Sequence, residues 1–328
     1  MSILIPIDNY PIPYHPTWSI WDASLTMDFM KCQRLALFKK LFAWSHRKPS
    51  VHLLFGTAWH AMMEEILLNG YNEVGINKGY NRFIKIYREF YDEDQDEFQA
   101  PKNPACAKKA LETYMREYFT DDIKVFGTEI GGEVPINATD SMAFKIDAII
   151  QEKGKYYVWD HKTTGWAFTP LYDIQWDLRL QFQLYIHAFH AYLATKGIRP
   201  EELGGLVVNS VLLKMLKAGL KTEVSRYLVP FDLEMQSAFL QELNIWIAII
   251  KLQFELLQNA KISDSSLSAF PRSFTGSACT EYNRECLFHS ICMNYPNPLQ
   301  IFEANPYDFH IKHWNPLEQE GIREKVEL

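Results

Sequence analysis

Two acidic residues and a lysine lie in neighbouring segments that have the composition of β-strands. Asp147 interrupts the apolar run 144–150, and Asp160 and Lys162 are one residue apart in the run 156–164. Because side chains alternate along a strand, Asp160 and Lys162 are predicted to point to the same face. An ionised Asp147 needs a partner in so apolar a segment. A Mg2+ or Mn2+ ion shared with Asp160 would serve, since hard cations prefer oxygen ligands.

Such an arrangement is suited to a reaction at a phosphate group. The ion would keep coordination positions open for water and for phosphate oxygens. Lys162 would orient the attacking water or stabilise charge that develops on the phosphorus. A lone Asp-x-Lys is a weak signal, because a surface hairpin with solvated charges has the same sequence. Glu133, which precedes an extended Val-Pro-Ile, is either a third carboxylate near this site or a surface strand residue.

The cysteines form a second group with metal-binding potential. The last three have the spacing Cys-x6-Cys-x5-Cys, with Cys32 as the natural fourth ligand and Cys106 as the spare. Soft thiolates in so short a span indicate an iron–sulfur cluster, or zinc held by four cysteines or by three cysteines and His289. The missing Cys-x2-Cys pair favours the cluster. The cysteines are Cys32, Cys106, Cys279, Cys286 and Cys292.

Composition predicts a globular protein outside the membrane. A chain of 328 residues can bury a large core, and no apolar run approaches the length of a membrane span. Residues 1–6 are too short and uncharged for a signal peptide, so we expect a cytoplasmic protein without a disulfide framework. The net charge of −7 argues against diffuse attraction to nucleic acid. It is compatible with local basic clusters, of which residues 31–48 contain one.

The elements that must position these residues change along the chain. Residues 1–18 are predicted as an extended arm. Apolar spacing predicts helices at 24–44, 55–68, 81–91, 107–119, 174–193 and 232–259. Strands are predicted at 124–130, 133–137, 142–150, 156–161, 206–213 and 222–230, with Gly131-Gly132 as a turn.

Taken in order, the motifs resemble those of RecB-type exonucleases of the PD-(D/E)XK superfamily. Glu133 matches an upstream glutamate, and the four cysteines are similar to the iron–sulfur branch, which includes AddB nuclease domains, CRISPR-associated RecB-like nucleases and phage proteins. The order holds over residues 24–292, and it is more specific than any single motif. The matching segments are Gly56-Thr57-Ala58-Trp59-His60, Lys145-Ile146-Asp147-Ala148-Ile149, Asp160-His161-Lys162-Thr163-Thr164 and Gln181-Phe182-Gln183-Leu184-Tyr185.

The resemblance implies a fold and a set of roles. The fold is a restriction-endonuclease-like α/β core, a mixed sheet flanked by helices. One compact unit is expected, with a helical part at 1–122, a nuclease core at 123–231 and a helix with an iron–sulfur segment at 232–328. The implied ligands of Mg2+ or Mn2+ are His60, Asp147, Asp160 and the His161 carbonyl. Lys162 would be catalytic, Gln181 and Tyr185 would hold the lysine or the DNA backbone, and a 4Fe-4S cluster would be held by Cys32, Cys279, Cys286 and Cys292.

The implied activity is hydrolysis of DNA from single-stranded ends, in recombination, repair or processing. A motor would be a separate helicase or recombination partner, because the chain has no Gly-x-x-x-x-Gly-Lys-Ser/Thr motif. One alternative is a non-catalytic or structural iron–sulfur subunit that binds DNA in a recombination complex. Another is a structure-specific endonuclease. An intact set of His60, Asp147, Asp160 and Lys162 argues against the non-catalytic alternative.

Overall fold

A six-stranded sheet carries the predicted carboxylates and Lys162 in the computed structural model, which describes residues 2–281, 284–318 and 322–328. The spatial order of its strands is β6 (Gly219–Pro230), β5 (Leu203–Leu216), β4 (Lys155–Thr164), β3 (Ser141–Glu152), β2 (Lys124–Pro135) and β8 (Glu324–Glu327). The neighbours β4 and β5, and β2 and β8, are parallel, whereas the other neighbours are antiparallel. The predicted mixed α/β fold is therefore confirmed, and it is consistent with a restriction-endonuclease-like fold.

Helices flank this sheet. A small second sheet pairs β1 (Trp44–Ser45) with β7 (His310–Ile311). The α-helices of the described segments are α1 (Ala23–Lys31), α2 (Gln33–Ala36), α3 (Val51–Asn69), α4 (Glu73–Tyr87), α5 (Asp96–Gln99), α6 (Pro104–Tyr118), α7 (Pro170–Ile174), α8 (Leu180–Thr195), α9 (Leu233–Gln258) and α10 (His289–Asn294). Among the residues described, no helix has both the length and the apolar character that a membrane crossing requires.

The largest apolar cluster contains residues from all three predicted parts of the chain. Trp18, Phe144 and Phe254 are all essentially buried in it. The N-terminal arm has no helix or strand over residues 2–15, but a 3-10 helix forms at Pro16–Ser19, within the segment predicted as extended, and Ile3 is fully buried in the same cluster. A second cluster packs α3, α4 and α6 against β5. Helix α3 is thereby fixed against the sheet, which matters because it carries His60.

The helix predicted at 24–44 is interrupted at Cys32. This residue has an extended backbone, with φ of −160°, between α1 and α2. Arg34 is 2% exposed, and its Nε donates to the Phe270 carbonyl at 2.8 Å. Its backbone N–H donates to the Pro271 carbonyl at 3.0 Å. The bonds that fix this break come from a distant segment. The apolar spacing of residues 24–44 depends only on neighbouring residues and therefore does not reveal the break.

The Gly131-Gly132 pair lies inside β2, so the predicted turn is wrong. Strand β8 runs alongside β2 at this point. A Cβ atom on Gly132 would lie only 2.2 Å from the Val326 carbonyl oxygen. The missing side chain therefore permits a close approach of two backbones, which is the other common role of glycine in a strand.

Candidate active site

Two ion pairs meet where β3 and β4 part. The ladder between the strands ends at the pair Ala148–Trp159, and the next residues are Asp147 and Asp160. Beyond the ladder, the His161 backbone N–H donates to Asp147 Oδ2 at 3.1 Å. The structure thus brings the two predicted carboxylates to the same level of adjacent strands.

His60 reaches this point from α3. The helix begins after Ser50, whose Oγ accepts a hydrogen bond from the Leu53 N–H. His60 Nδ1 lies 2.9 Å from Asp147 Oδ2. Burial lowers the pKa of His60, but Asp147 outweighs this effect and the net pKa is raised. Burial likewise opposes ionisation of Asp147, yet His60 and Lys162 hold its pKa well below the ordinary value. Asp147 is therefore an ionised carboxylate.

Asp160 and Lys162 form the second pair, as alternation along β4 predicts. Lys162 Nζ lies 2.6 Å from Asp160 Oδ2, and Asp160 is only 1% exposed. Burial, with a contribution from Asp147, raises the pKa of Asp160, while Lys162 opposes the rise. A cation beside a buried carboxylate is needed to keep it ionised.

His161 points to the opposite side of β4. Its ring is 2% exposed, and burial lowers its pKa to about 3, so it is neutral near pH 7. Neither ring nitrogen has a hydrogen-bond partner within the residues that the structure describes. Its ring centroid lies 6.3 Å from that of His60.

Helix α8 covers the Lys162 side of the site. Gln181 Nε2 donates to the Tyr185 hydroxyl at 3.1 Å, one helical turn away. Lys162 Nζ lies 5.5 Å from the centroid of the intervening Phe182 ring. Burial raises the pKa of Tyr185 well above its ordinary value, and Asp160 adds to the rise. Gln181 and Tyr185 are thus neutral hydrogen-bonding groups close to the Asp160–Lys162 pair.

Glu133 lies farther along β2. It pairs with Ala143 in the ladder, and its Oε1 accepts a hydrogen bond from Ser2 Oγ. The residues lining the site cavity include Glu129 instead. Glu129 and Glu133 are four residues apart and share a face by alternation, so the local pattern does not favour Glu129 over Glu133.

The register of β2 and β3 sets Glu129 opposite Asp147. Glu129 is 6% exposed and forms an ion pair with Lys145. Burial and the nearby Asp147 raise its pKa to about 7, against the effect of Lys145. Its φ of +50° lies in the left-handed region that residues other than glycine rarely adopt. Only the strand register could have identified Glu129 as the glutamate beside Asp147, and no local pattern reveals that register.

A cavity of about 990 Å³ between α3, α4 and the sheet is lined by His60, Glu129, Asp147, His161 and Lys162, whereas Asp160 lies behind Lys162 and is buried. The wall from α4 adds polar side chains that sequence reasoning did not single out. The lining residues that can carry charge are His52, His60, Glu64, Arg82, Lys85, Glu89, Glu129, Lys145, Asp147, His161 and Lys162.

The donor chemistry of the site fits a divalent cation. The partly buried Asp147 and the buried Asp160 supply carboxylate oxygens, and the His161 carbonyl is a further oxygen donor between them, all of the kind that hard cations prefer. Over residues 2–281, 284–318 and 322–328, however, no three His, Cys, Asp or Glu side chains converge closely enough to hold a metal ion. Asp147 faces His60 instead, and Asp160 faces Lys162.

The structure also gathers four of the five cysteines, all of them free thiols. The Cys286 backbone N–H donates to the Cys279 carbonyl at 2.8 Å. Burial raises the pKa of Cys292 to about 11, Arg34 opposes the rise, and Cys32 and Cys286 add to it. Sulfur is the donor that an iron–sulfur cluster requires, but within the part of the chain that the structure describes these thiols do not converge closely enough to hold a metal ion. Cys106 lies apart, in the cluster of α3, α4 and α6.

Comparisons with known proteins give a family match and matches to solved structures. A family model described as the PD-(D/E)XK nuclease superfamily matches residues 23–293. A crystal structure from Eubacterium rectale, described provisionally as an exonuclease, is 11% identical with a TM-score of 0.40, covering 75% of this chain and 85% of that chain. The crystal structure of SSO0001 is 14% identical with a TM-score of 0.23, covering 59% and 74%. No curated protein matches.

Proposed function

Because the chain belongs to the PD-(D/E)XK nuclease superfamily, we propose that it is a Mg2+- or Mn2+-dependent deoxyribonuclease acting on single-stranded DNA ends. The observation that carries the proposal is the meeting of the His60–Asp147 and Asp160–Lys162 pairs beside one cavity. A helix and two strands supply these four groups, and packing fixes their positions. We also propose a cytoplasmic role in recombination, repair or processing, with any helicase supplied by another chain.

The chain's own residues divide the work of hydrolysis. His60, Asp147, Asp160 and the His161 carbonyl would hold the ion. A bound divalent cation activates water and neutralises charge on the phosphate. Lys162 is held by Asp160 and donates hydrogen bonds to the oxygen that becomes more negative as the phosphodiester bond breaks. Gln181 and Tyr185 restrict Lys162 from the α8 side and offer neutral contacts to the DNA backbone.

A direct assay tests this function. Anaerobically purified protein is incubated with end-labelled single-stranded DNA and Mg2+ or Mn2+, and the products are separated by length. We expect cleavage with either ion and none in EDTA. An intact substrate under all conditions would favour the alternative of a non-catalytic DNA-binding subunit.

The predicted preference for ends gives a second expected result. Linear single-stranded DNA should be degraded, whereas a closed single-stranded circle of the same sequence should survive much longer. The physical reason is that an exonuclease needs a terminus to seat the scissile phosphate. The measurement is the initial rate on both substrates in one reaction. Comparable rates would support a structure-specific endonuclease instead.

We further propose that Cys32, Cys279, Cys286 and Cys292 hold a structural 4Fe-4S cluster. The cluster would join the break between α1 and α2 to the C-terminal segment. Arg34 already connects these regions through its bonds to the carbonyls of residues 267–271. Closing a loop that spans most of the chain would stabilise the fold by roughly 5 kcal/mol in the chain-entropy estimate for a cross-link.

Serine variants of the four ligands should lose the iron. Each should also lose the brown colour, melt at lower temperature and become sensitive to protease. Cys106→Ser is the matched control, because Cys106 lies in another apolar cluster. Metal analysis and visible spectra of the five single variants provide the measurement. Iron retained by Cys32→Ser, or lost from Cys106→Ser, would contradict the ligand assignment, and zinc would contradict the cluster type.

A further inference from the structure

A second cavity, of about 430 Å³, opens beside the segment that precedes α3. One wall consists of the consecutive residues His46, Arg47 and Lys48, all exposed. The chain as a whole has a net charge of −7, whereas this wall has three adjacent basic side chains. The other lining residues are Ser45, Leu287, Tyr307, Asp308 and Phe309.

The opposite wall offers an aromatic platform. Tyr307 is 44% exposed, and its ring centroid lies 6.0 Å from that of Phe309. Phe309 is in turn stacked on the buried Trp44 at 5.2 Å. The aromatic series anchors Tyr307 to the core while one part of its ring remains exposed. Exposed aromatic rings beside basic residues are the usual means of binding unpaired bases without sequence preference.

The basic side chains remain available to a phosphate. Arg47 Nη2 lies 2.7 Å from Asp308 Oδ1, but the two side chains are 67% and 83% exposed, so water weakens this pair. Lys48 Nζ lies 4.0 Å from the centroid of the Tyr91 ring, a contact that leaves its N–H donors able to reach an anion. Arg47 and Lys48 can therefore turn toward a phosphate at little cost.

Two chain segments connect this cavity to the active-site cavity. Lys48 lines the second cavity, whereas His52, four residues later, lines the first. Leu287 lines the second cavity, and Arg284 Nη2 lies 2.7 Å from His52 Nε2 at the edge of the first. The cavities are thus neighbours along both segments.

We propose that the second cavity binds single-stranded DNA and directs the strand toward the active-site cavity. The proposal rests on the proposed nuclease function and adds the path of its substrate. Arg47 and Lys48 contact the phosphates, and a base stacks on Tyr307. An unpaired strand fits because its base faces are free, whereas a duplex hides them within its own stack.

Fluorescence anisotropy tests this path with a labelled 20-nucleotide oligothymidine. Measurements in EDTA separate binding from hydrolysis. The double variant Arg47→Glu/Lys48→Glu should bind about tenfold more weakly. Its salt dependence, log affinity against log salt, should be shallower by roughly 1.4, since each phosphate contact on a single strand contributes about 0.7. Tyr307→Ala should weaken binding about fivefold through loss of one stacked base.

The controls keep the outcome decisive. Lys153→Glu changes a 90% exposed lysine on the β3–β4 turn and should leave affinity unchanged. Arg47→Ala/Lys48→Ala, a milder change, should fall between wild type and the glutamate variant. Weaker binding in these variants supports the path even where wild type fails to cleave. Unchanged affinity overturns the path and leaves the nuclease intact, and tighter binding of duplex DNA or RNA overturns the assignment to single-stranded DNA.

Discussion

Lys162→Ala is expected to lower DNA hydrolysis about 100- to 1,000-fold while the fold and DNA binding persist. The ammonium group lies 2.6 Å from Asp160 and is the cation best placed to stabilise charge developing on the phosphate. Removal of one preorganised donor from a transition state costs about this much. The His60–Asp147 pair is untouched by the change. The measurement is single-turnover cleavage of end-labelled DNA, together with binding in EDTA.

The matched control for this variant is Lys153→Ala. It removes the same charge from an exposed turn and should retain full activity. Equal losses in both variants would indicate a general effect of charge. Full activity in Lys162→Ala would eliminate the assigned site.

Asp147→Asn is expected to abolish cleavage, by about three orders of magnitude or more, and to weaken Mn2+ binding as well. The amide keeps the shape of the side chain but loses the negative charge that holds His60 at 2.9 Å. It also loses a strong acceptor for the His161 N–H. Titration calorimetry with Mn2+ separates this variant from Lys162→Ala, which should still bind the ion.

Asp94→Asn serves as the control, because Asp94 is exposed and lies outside the cavity lining. It should match wild type in both measurements. Normal Mn2+ affinity in Asp147→Asn would remove Asp147 from the proposed ligand set. Active Asp147→Asn protein would remove it from the site altogether.

The part of the site on β4 follows from local geometry. Asp160 and Lys162 share a face because side chains alternate along any strand, and the structure places them in contact. The strands at 142–150 and 156–161 were predicted close to their observed limits because β-branched and aromatic residues dominate them. The contact of His60 with Asp147 joins distant positions, and the order of motifs in the family resemblance had suggested it.

Other features could not be predicted because they depend on segments far apart in the chain. The choice of Glu129 over Glu133 beside Asp147 depends on the register of two strands. The break at Cys32 depends on Arg34 and a loop more than 200 residues away, with separations of 233 and 236 for two of its bonds. Local periodicity depends only on residues that are close in the chain. It therefore reveals neither the strand register beside Asp147 nor the break at Cys32.

The amino-acid sequence by itself determined the secondary structure that carries the site, the face shared by Asp160 and Lys162, and the order of motifs. Alternation and helical periodicity are properties of a few consecutive residues, which explains why these features could be predicted. The tertiary structure decided which carboxylate neighbours Asp147, how β8 passes the glycines of β2, and where the basic residues 46–48 meet Tyr307. These features arise from register and packing between distant segments, whose energies depend on contacts that form only in the folded chain.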